Sequence, residues 1–82
     1  MTTPLDDHRL RLDDIDTQLL ELLQARDSLA REIVNTKIDA GLPVFSPERE
    51  RDKVAAFRAA ASARDLDPDW AEDLLRMIMS SS

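Results

Sequence analysis

Two cations stand where the surrounding pattern predicts apolar side chains. Arg26 lies between Leu22 and Leu29 on one seam of a helical stretch. An unpaired charge buried there is costly, so Arg26 requires an anionic partner. Lys37 follows about three helical turns later and lies on nearly the same face. Together, the two cations predict a surface that binds a dianion. The alternative is that Arg26 pairs with an acidic residue of a neighbouring helix while Lys37 is solvated.

A carboxylate is the third charged group in an apolar pattern. Glu50 shares a helical face with Val54, Phe57 and Ala61, so we expect it to point inward near the start of the second helix. A carboxylate in that position accepts a hydrogen bond from a hydroxyl group. The alternative is a salt bridge to Arg26.

Arg9 extends the pattern to a second chain. It precedes Arg26 by about 25 Å along a helix, so one small ligand cannot contact both within a single helix. If two copies of this helix cross antiparallel near residue 20, Arg9 of one chain falls opposite residue 31 of the other, midway between Arg26 and Lys37. A two-fold dimer would then contain two equal sites, each with cations from both chains.

A single long helix must carry these cations. Pro4 can begin a helix, and Gly41 followed by Pro43 can end one, which predicts a first helix over residues 5–40. Apolar residues recur along it at alternating steps of three and four, which is typical of helices that pair with other helices. The seam consists of Leu5, Leu12, Ile15, Leu19, Leu22, Leu29 and Ile33.

Two shorter helices follow. Ser46 is an N-cap with Pro47 at the first helical position, which predicts a second helix over residues 47–64. Asp67 and the proline after it repeat the signal and predict a third helix over residues 68–80.

Composition limits the class of protein. The 82 residues suffice for one domain, and a single glycine among them favours an all-α fold. No cysteine and one histidine make a metal site improbable. The net charge of −6 disfavours nucleic acid. No apolar run has the length of a membrane span and no signal peptide is evident, so we expect a soluble cytoplasmic protein. So small a domain is marginal alone and is expected to form an oligomer.

Several ordered motifs identify a family. They are R-L-R-L-D-D-I-D-T-Q-L-L-E-L-L-Q-A-R from Arg9 to Arg26, the lysine at Lys37, and G-L-P-V-F-S-P-E-R-E from Gly41 to Glu50. Across essentially the whole chain the sequence resembles the all-helical chorismate mutases. The last motif, with the later E-D-L-L-R-M-I-M, is most similar to the mutase domain of bifunctional chorismate mutase–prephenate dehydrogenases.

The resemblance implies a fold, a reaction and partners. It implies three helices per chain, with the long first helices intertwined in a homodimer. The reaction is the pericyclic rearrangement of chorismate to prephenate, in aromatic amino-acid biosynthesis by the shikimate pathway, with no cofactor and no metal. It further implies a C-terminal prephenate dehydrogenase domain in the parent protein.

The resemblance also implies roles for individual residues. Arg26 and Arg9 of the partner subunit would hold the two carboxylates of the substrate. Lys37 would reach a carboxylate and the ether oxygen, and Glu50 would accept the substrate hydroxyl.

Three further residues belong to the implied substrate pocket. Arg49 and Ser82 would complete it, and Ser46 stands where some members place an acid that touches the hydroxyl. The family places a glutamine or glutamate about one turn beyond Ser82. A chain ending at Ser82 is therefore expected to be either a piece of a longer protein or an enzyme of reduced activity.

Two other functions compete with the mutase. Isochorismate–pyruvate lyases share the fold and most of the cations, but they tend to carry an apolar residue where Glu50 stands, so Glu50 favours the mutase. A non-catalytic helical dimerisation module is what periodicity alone would predict. The ordered charges at Arg9, Arg26, Lys37 and Glu50 disfavour it, because a simple zipper gains nothing from a buried arginine.

Overall fold

Residues 3–80 fold into three α-helices joined by short connections. The computed structural model describes Met1 and residues 3–80, and this part of the chain contains helices without any strand. Helix α1 is Pro4–Asp39, α2 is Pro47–Ser62 and α3 is Pro68–Ser80. The all-α, three-helix fold expected from the sequence is confirmed.

The first helix begins at a reciprocal cap. The backbone N–H of Asp6 donates to Oγ1 of Thr3 at 3.1 Å, and the N–H of Thr3 donates to Oδ2 of Asp6 at 3.2 Å. Two N–H groups that no helical carbonyl can reach are thereby satisfied. The helix runs from Pro4 to Asp39, so each end lies one residue before the predicted bound of residues 5–40.

The other end of α1 closes on the single glycine. Gly41 takes a φ of +69°, which is favourable only without a Cβ atom. The N–H of Gly41 donates to the carbonyl of Ile38 at 3.1 Å, and the N–H of Leu42 donates to that of Lys37 at 2.8 Å. These two hydrogen bonds form a Schellman motif, which ends α1 at Asp39.

The second helix ends in the same motif without a glycine. The N–H of Leu66 donates to the carbonyl of Ala61 at 2.9 Å, and that of Asp65 donates to Ser62 at 3.2 Å. Asp65 supplies the left-handed residue, with a φ of +58°. The last helical residue is therefore Ser62, two residues before the end indicated by the sequence pattern.

The chain divides into two compact units, Met1–Ile33 and Val34–Ser82. The first unit is a single helical stretch. Helix α1 has no buried residue, and its large apolar side chains are exposed. The exposed large apolar residues of α1 within the first unit are Leu5, Leu10, Leu12, Ile15, Leu19, Leu20, Leu22, Leu23, Leu29 and Ile33.

The second unit has a small core between α2 and α3. Among the described residues of this unit, the buried apolar side chains are Val54 and Ala61 of α2 and Ala71 and Leu75 of α3, and Leu75 is only 1% exposed. The alanines let the two helices approach closely, and this packing fixes which polar side chains of α2 and α3 meet at the edge of the core. Within the described part of the chain, no helix is both long and apolar enough to cross a membrane.

Candidate active site

The side chain of Lys37 is tied to the loop that follows its helix. It is half-buried in the last turn of α1, and its Nζ donates a 3.2 Å hydrogen bond to the carbonyl oxygen of Val44. A lysine ammonium has three donors, so this bond leaves two for another acceptor.

Ser46 acts as a structural cap. Its Oγ accepts a hydrogen bond of 3.4 Å from the backbone N–H of Arg49, and its backbone takes extended angles, with φ −133° and ψ 104°. The carbonyl of Ser46 accepts from the N–H of Glu50 at 3.1 Å. The cap thus sets the first turn of α2, which carries two predicted site residues, Arg49 and Glu50. Arg49 is exposed.

Glu50 faces an arginine of the third helix. Its Oε1 lies 3.6 Å from Nη1 of Arg76, and the Glu50 side chain is 37% exposed. Within its own unit, the ion-pair partner of Glu50 is therefore Arg76, and the alternative pairing with Arg26 stays a prediction. Both groups border an open depression of about 230 Å³. It is lined by Phe45, Pro47, Glu50, Arg51, Val54 and Arg76.

Arg76 is one member of an alternating chain of ion pairs between α2 and α3. Its Nε donates to Oε2 of Glu72 at 3.0 Å, and Oε1 of Glu72 accepts from Nη1 of Arg58 at 3.0 Å. Nη2 of Arg58 lies 2.9 Å from Oδ1 of Asp69. We call the set Glu50, Arg76, Glu72, Arg58 and Asp69 the α2–α3 ion-pair chain.

These ion pairs shift two pKa values. The hydrogen bond from Arg76 is the largest cause that lowers the pKa of Glu72, and Arg58 adds to it against the opposing effect of burial. The hydrogen bond to Asp69 is the largest cause that raises the pKa of Arg58 above its ordinary value, with Glu72 contributing in the same direction. The charged forms of Glu72 and Arg58 are therefore stabilised in the folded chain.

The other two predicted cations lie in the first unit. Arg9 is exposed and Arg26 is half-buried. Neither forms an ion pair with a described residue of Met1–Ile33, whereas Arg31 in the same unit pairs with Asp27 at 3.2 Å. One chain does not bring Arg9 and Arg26 together, because about 25 Å of helix separates them. The remaining predicted residue, Ser82, lies outside the described residues.

Sequence reasoning did not select Arg76. Its spacing of four from Glu72 indicates a helical ion pair. No local pattern places it opposite Glu50, since that depends on how α3 packs on α2. Among the described residues, no group of three or more histidine or acidic side chains is placed to hold a metal ion.

Comparison with known proteins identifies the family. The family described as chorismate mutase type II matches residues 8–82. The chain belongs to this family. The resemblance inferred from the motifs between Arg9 and Glu50 is therefore confirmed.

Several curated proteins are similar to this chain. The T-protein of Enterobacter agglomerans is 39% identical over 82 residues, which are 100% of this chain and 22% of that protein. The T-protein of Haemophilus influenzae is 35% identical over 78 residues, or 95% of this chain and 21% of the relative. The chorismate mutase of Methanocaldococcus jannaschii is 37% identical over 51 residues, covering 62% of this chain and 52% of the relative.

This chorismate mutase type II chain spans about a fifth of the length of the two T-proteins. The family also occurs within bifunctional proteins. The bifunctional chorismate mutase/prephenate dehydratase of Aquifex aeolicus is 44% identical over 48 residues, which are 58% of this chain and 13% of that protein. No solved structure matches the chain.

Proposed function

We propose that this chain catalyses the rearrangement of chorismate to prephenate as a homodimer with two shared sites. The observation that carries the proposal is the environment of Arg26. It is half-buried on a leucine-rich helix and has no ion-pair partner among the described residues of its unit. A cation held in this way favours an anionic ligand, because a carboxylate removes the cost of the unpaired charge.

The reaction defines what the site must do. Within one molecule the ether C–O bond breaks while a new C–C bond forms, so nothing leaves and no proton has to move. The protein must hold the folded conformer of the substrate and stabilise the negative charge that develops on the ether oxygen. We assign the carboxylates to Arg26 and Arg9 of the partner subunit, the ether oxygen to Lys37, and the hydroxyl to Glu50.

Three residues of the second unit complete the proposed pocket. Ser46 fixes the first turn of α2, and that turn presents Arg49 and Glu50. Because the Ser46 hydroxyl already accepts the N–H of Arg49, we assign Ser46 mainly to positioning. Arg49 is assigned to a substrate carboxylate, and Ser82 remains a predicted contact.

The uncovered seam of α1 supports the homodimer. Leu12, Ile15, Leu19, Leu22 and Leu29 are each between 53% and 67% exposed in the single chain. Burying such a half-exposed side chain contributes on the order of 1 kcal/mol, so five from each of two chains contribute about 10 kcal/mol, which is comparable to the cost of association. A second copy supplies the same seam, as a two-fold interface requires.

Direct assay tests the activity. Chorismate incubated with the protein should lose its absorbance and yield prephenate. Arg26→Gln should lower kcat/KM on the order of 100-fold, because a charge-assisted contact to a carboxylate is lost. The matched control is Arg31→Gln on the same helix, which should remain active because Arg31 pairs with Asp27.

Other products would identify other functions. Release of pyruvate from isochorismate without turnover of chorismate would contradict the mutase and favour the lyase. A stable dimer that transforms neither compound would favour the dimerisation module.

A further inference from the structure

We propose that Arg76 is a positioning residue for the reaction, fixing the carboxylate of Glu50 towards the substrate hydroxyl. The proposal rests on the function proposed above. It concerns a residue on α3 that borders the same depression as Glu50.

The distance between the two groups fits positioning rather than a closed ion pair. Nη1 of Arg76 and Oε1 of Glu50 are 3.6 Å apart, longer than a hydrogen bond between charged groups. The attraction orients the carboxylate, yet the lone pairs of both of its oxygens remain available. An acceptor for a substrate hydroxyl needs this combination, because a carboxylate fully occupied by a guanidinium would bind the hydroxyl less well.

Arg76 is itself held from its other side. Its Nε donates to Glu72 at 3.0 Å, and Glu72 is held in turn by Arg58 of α2 at 3.0 Å. Arg58 also donates to the carbonyl of Pro68 at 3.3 Å, which ties it to the start of α3. The guanidinium of Arg76 therefore has a defined orientation before any ligand binds. The Glu72 side chain is only 26% exposed, so this part of the ion-pair chain is screened less than an isolated surface pair.

Two other roles for Arg76 predict different kinetics. A residue that only joins α3 to α2 would change stability without changing the kinetics of the folded enzyme. A cation that attracts the dianionic substrate directly would act whether or not residue 50 carries a charge. A positioning residue acts only while Glu50 is present, so a double-mutant cycle separates the three roles.

The cycle uses Arg76→Gln, Glu50→Gln and the double variant, each assayed for kcat and KM with chorismate. Arg76→Gln should raise KM about fivefold and change kcat less than about twofold, because the hydroxyl contact holds both ground and transition states. In the Glu50→Gln background, the same substitution should change KM less than about twofold.

Two further variants sharpen the result. Arg76→Lys should restore KM only in part, because an ammonium keeps the charge towards Glu50 but cannot also reproduce the separate Nε bond to Glu72. The control is Arg64→Gln, two residues beyond the end of α2, where the side chain donates only to the carbonyl of Ala60 among the described residues. It should leave KM unchanged. Thermal unfolding of every variant identifies any loss of fold.

Each remaining outcome overturns a defined claim. If Arg76→Gln raises KM equally in the wild-type and the Glu50→Gln backgrounds, the positioning role is overturned. That result would indicate that Arg76 attracts the substrate directly. A lower midpoint of unfolding with unchanged KM would overturn positioning in favour of a structural role. A wild-type protein that does not transform chorismate would overturn the proposed function itself. If the wild type is active and Arg76→Gln leaves KM unchanged, only this inference is overturned.

Discussion

The ammonium group of Lys37 donates a 3.2 Å hydrogen bond to the carbonyl oxygen of Val44, seven residues further along the chain. The bond fastens the last turn of α1 to the loop that leads into α2. It holds the lysine in place while two of its donors stay free for a ligand.

Lys37→Gln separates the charge from this hydrogen bond. Glutamine retains a donor for Val44 but has no charge to stabilise the ether oxygen, so kcat should fall on the order of 100-fold. Thermal unfolding should change by only a few degrees, because the substitution affects one side-chain hydrogen bond and no residue of the core. Lys53→Gln on the exposed face of α2 is the control and should remain active. Activity of Lys37→Gln within tenfold of wild type would contradict the assigned role.

Asp65 offers a stability test. Because its φ is +58°, glycine should replace it favourably, raising the free energy of unfolding by about 0.5 kcal/mol and the midpoint by about 3 °C. Asp65→Val should have the opposite sign, since a β-branched residue resists this conformation. Melting curves at one fixed protein concentration measure both changes. An Asp65→Gly variant that is less stable than wild type would contradict the left-handed conformation of Asp65 at the end of α2.

The lowered pKa of Glu72 predicts an acid sensitivity. In the folded chain, Glu72 stays charged at pH values below its ordinary pKa of 4.5. The stabilisation that its ion pairs provide is therefore complete above pH 4.5. It is lost as the pH falls from 4.5 through the lowered folded value. Glu72→Gln should therefore lose less stability than wild type between about pH 6 and pH 3. The neighbouring Asp73→Asn is the control, and an equal flattening in that variant would contradict the assignment to Glu72.

Local signals in the sequence predicted most of the fold. The cap-and-proline pairs at Ser46 and Asp67 and the glycine at Gly41 predicted the three helices and their order. The end of α2 was misplaced because Asp65 takes a left-handed conformation that sequence patterns associate with glycine.

The candidate site was less predictable than the helices. Helical spacing was enough to place Glu50 on the face of α2 that also carries the buried Val54 and Ala61. Its partner Arg76 depends on the register between α2 and α3, which is set by the packing of small residues such as Ala71. That register has no local sequence signal, so Arg76 emerged only from the structure.

The seam of α1 predicts the oligomeric state. Sedimentation at low micromolar concentration should show a dimer, because one chain leaves the large apolar residues of α1 exposed. Leu19→Lys at the centre of the seam should shift the protein towards monomer and reduce activity together with dimer content. Leu66→Lys, at an exposed apolar residue between α2 and α3, should remain dimeric. A folded, active monomer would rule out the shared site.

Complementation between Arg9→Ala and Arg26→Ala tests the shared site most directly. Each variant alone should be nearly inactive, since both of its sites lack one carboxylate contact. The two chains are mixed, unfolded and refolded together. If Arg9 serves the site of the partner subunit, each heterodimer has one site lacking both arginines and one site lacking neither. Random pairing makes half of the dimers heterodimers, so activity should recover to about a quarter of the wild-type level. If both arginines served a site within one chain, every site would lack one of them, and a mixture that recovers no activity would contradict the account.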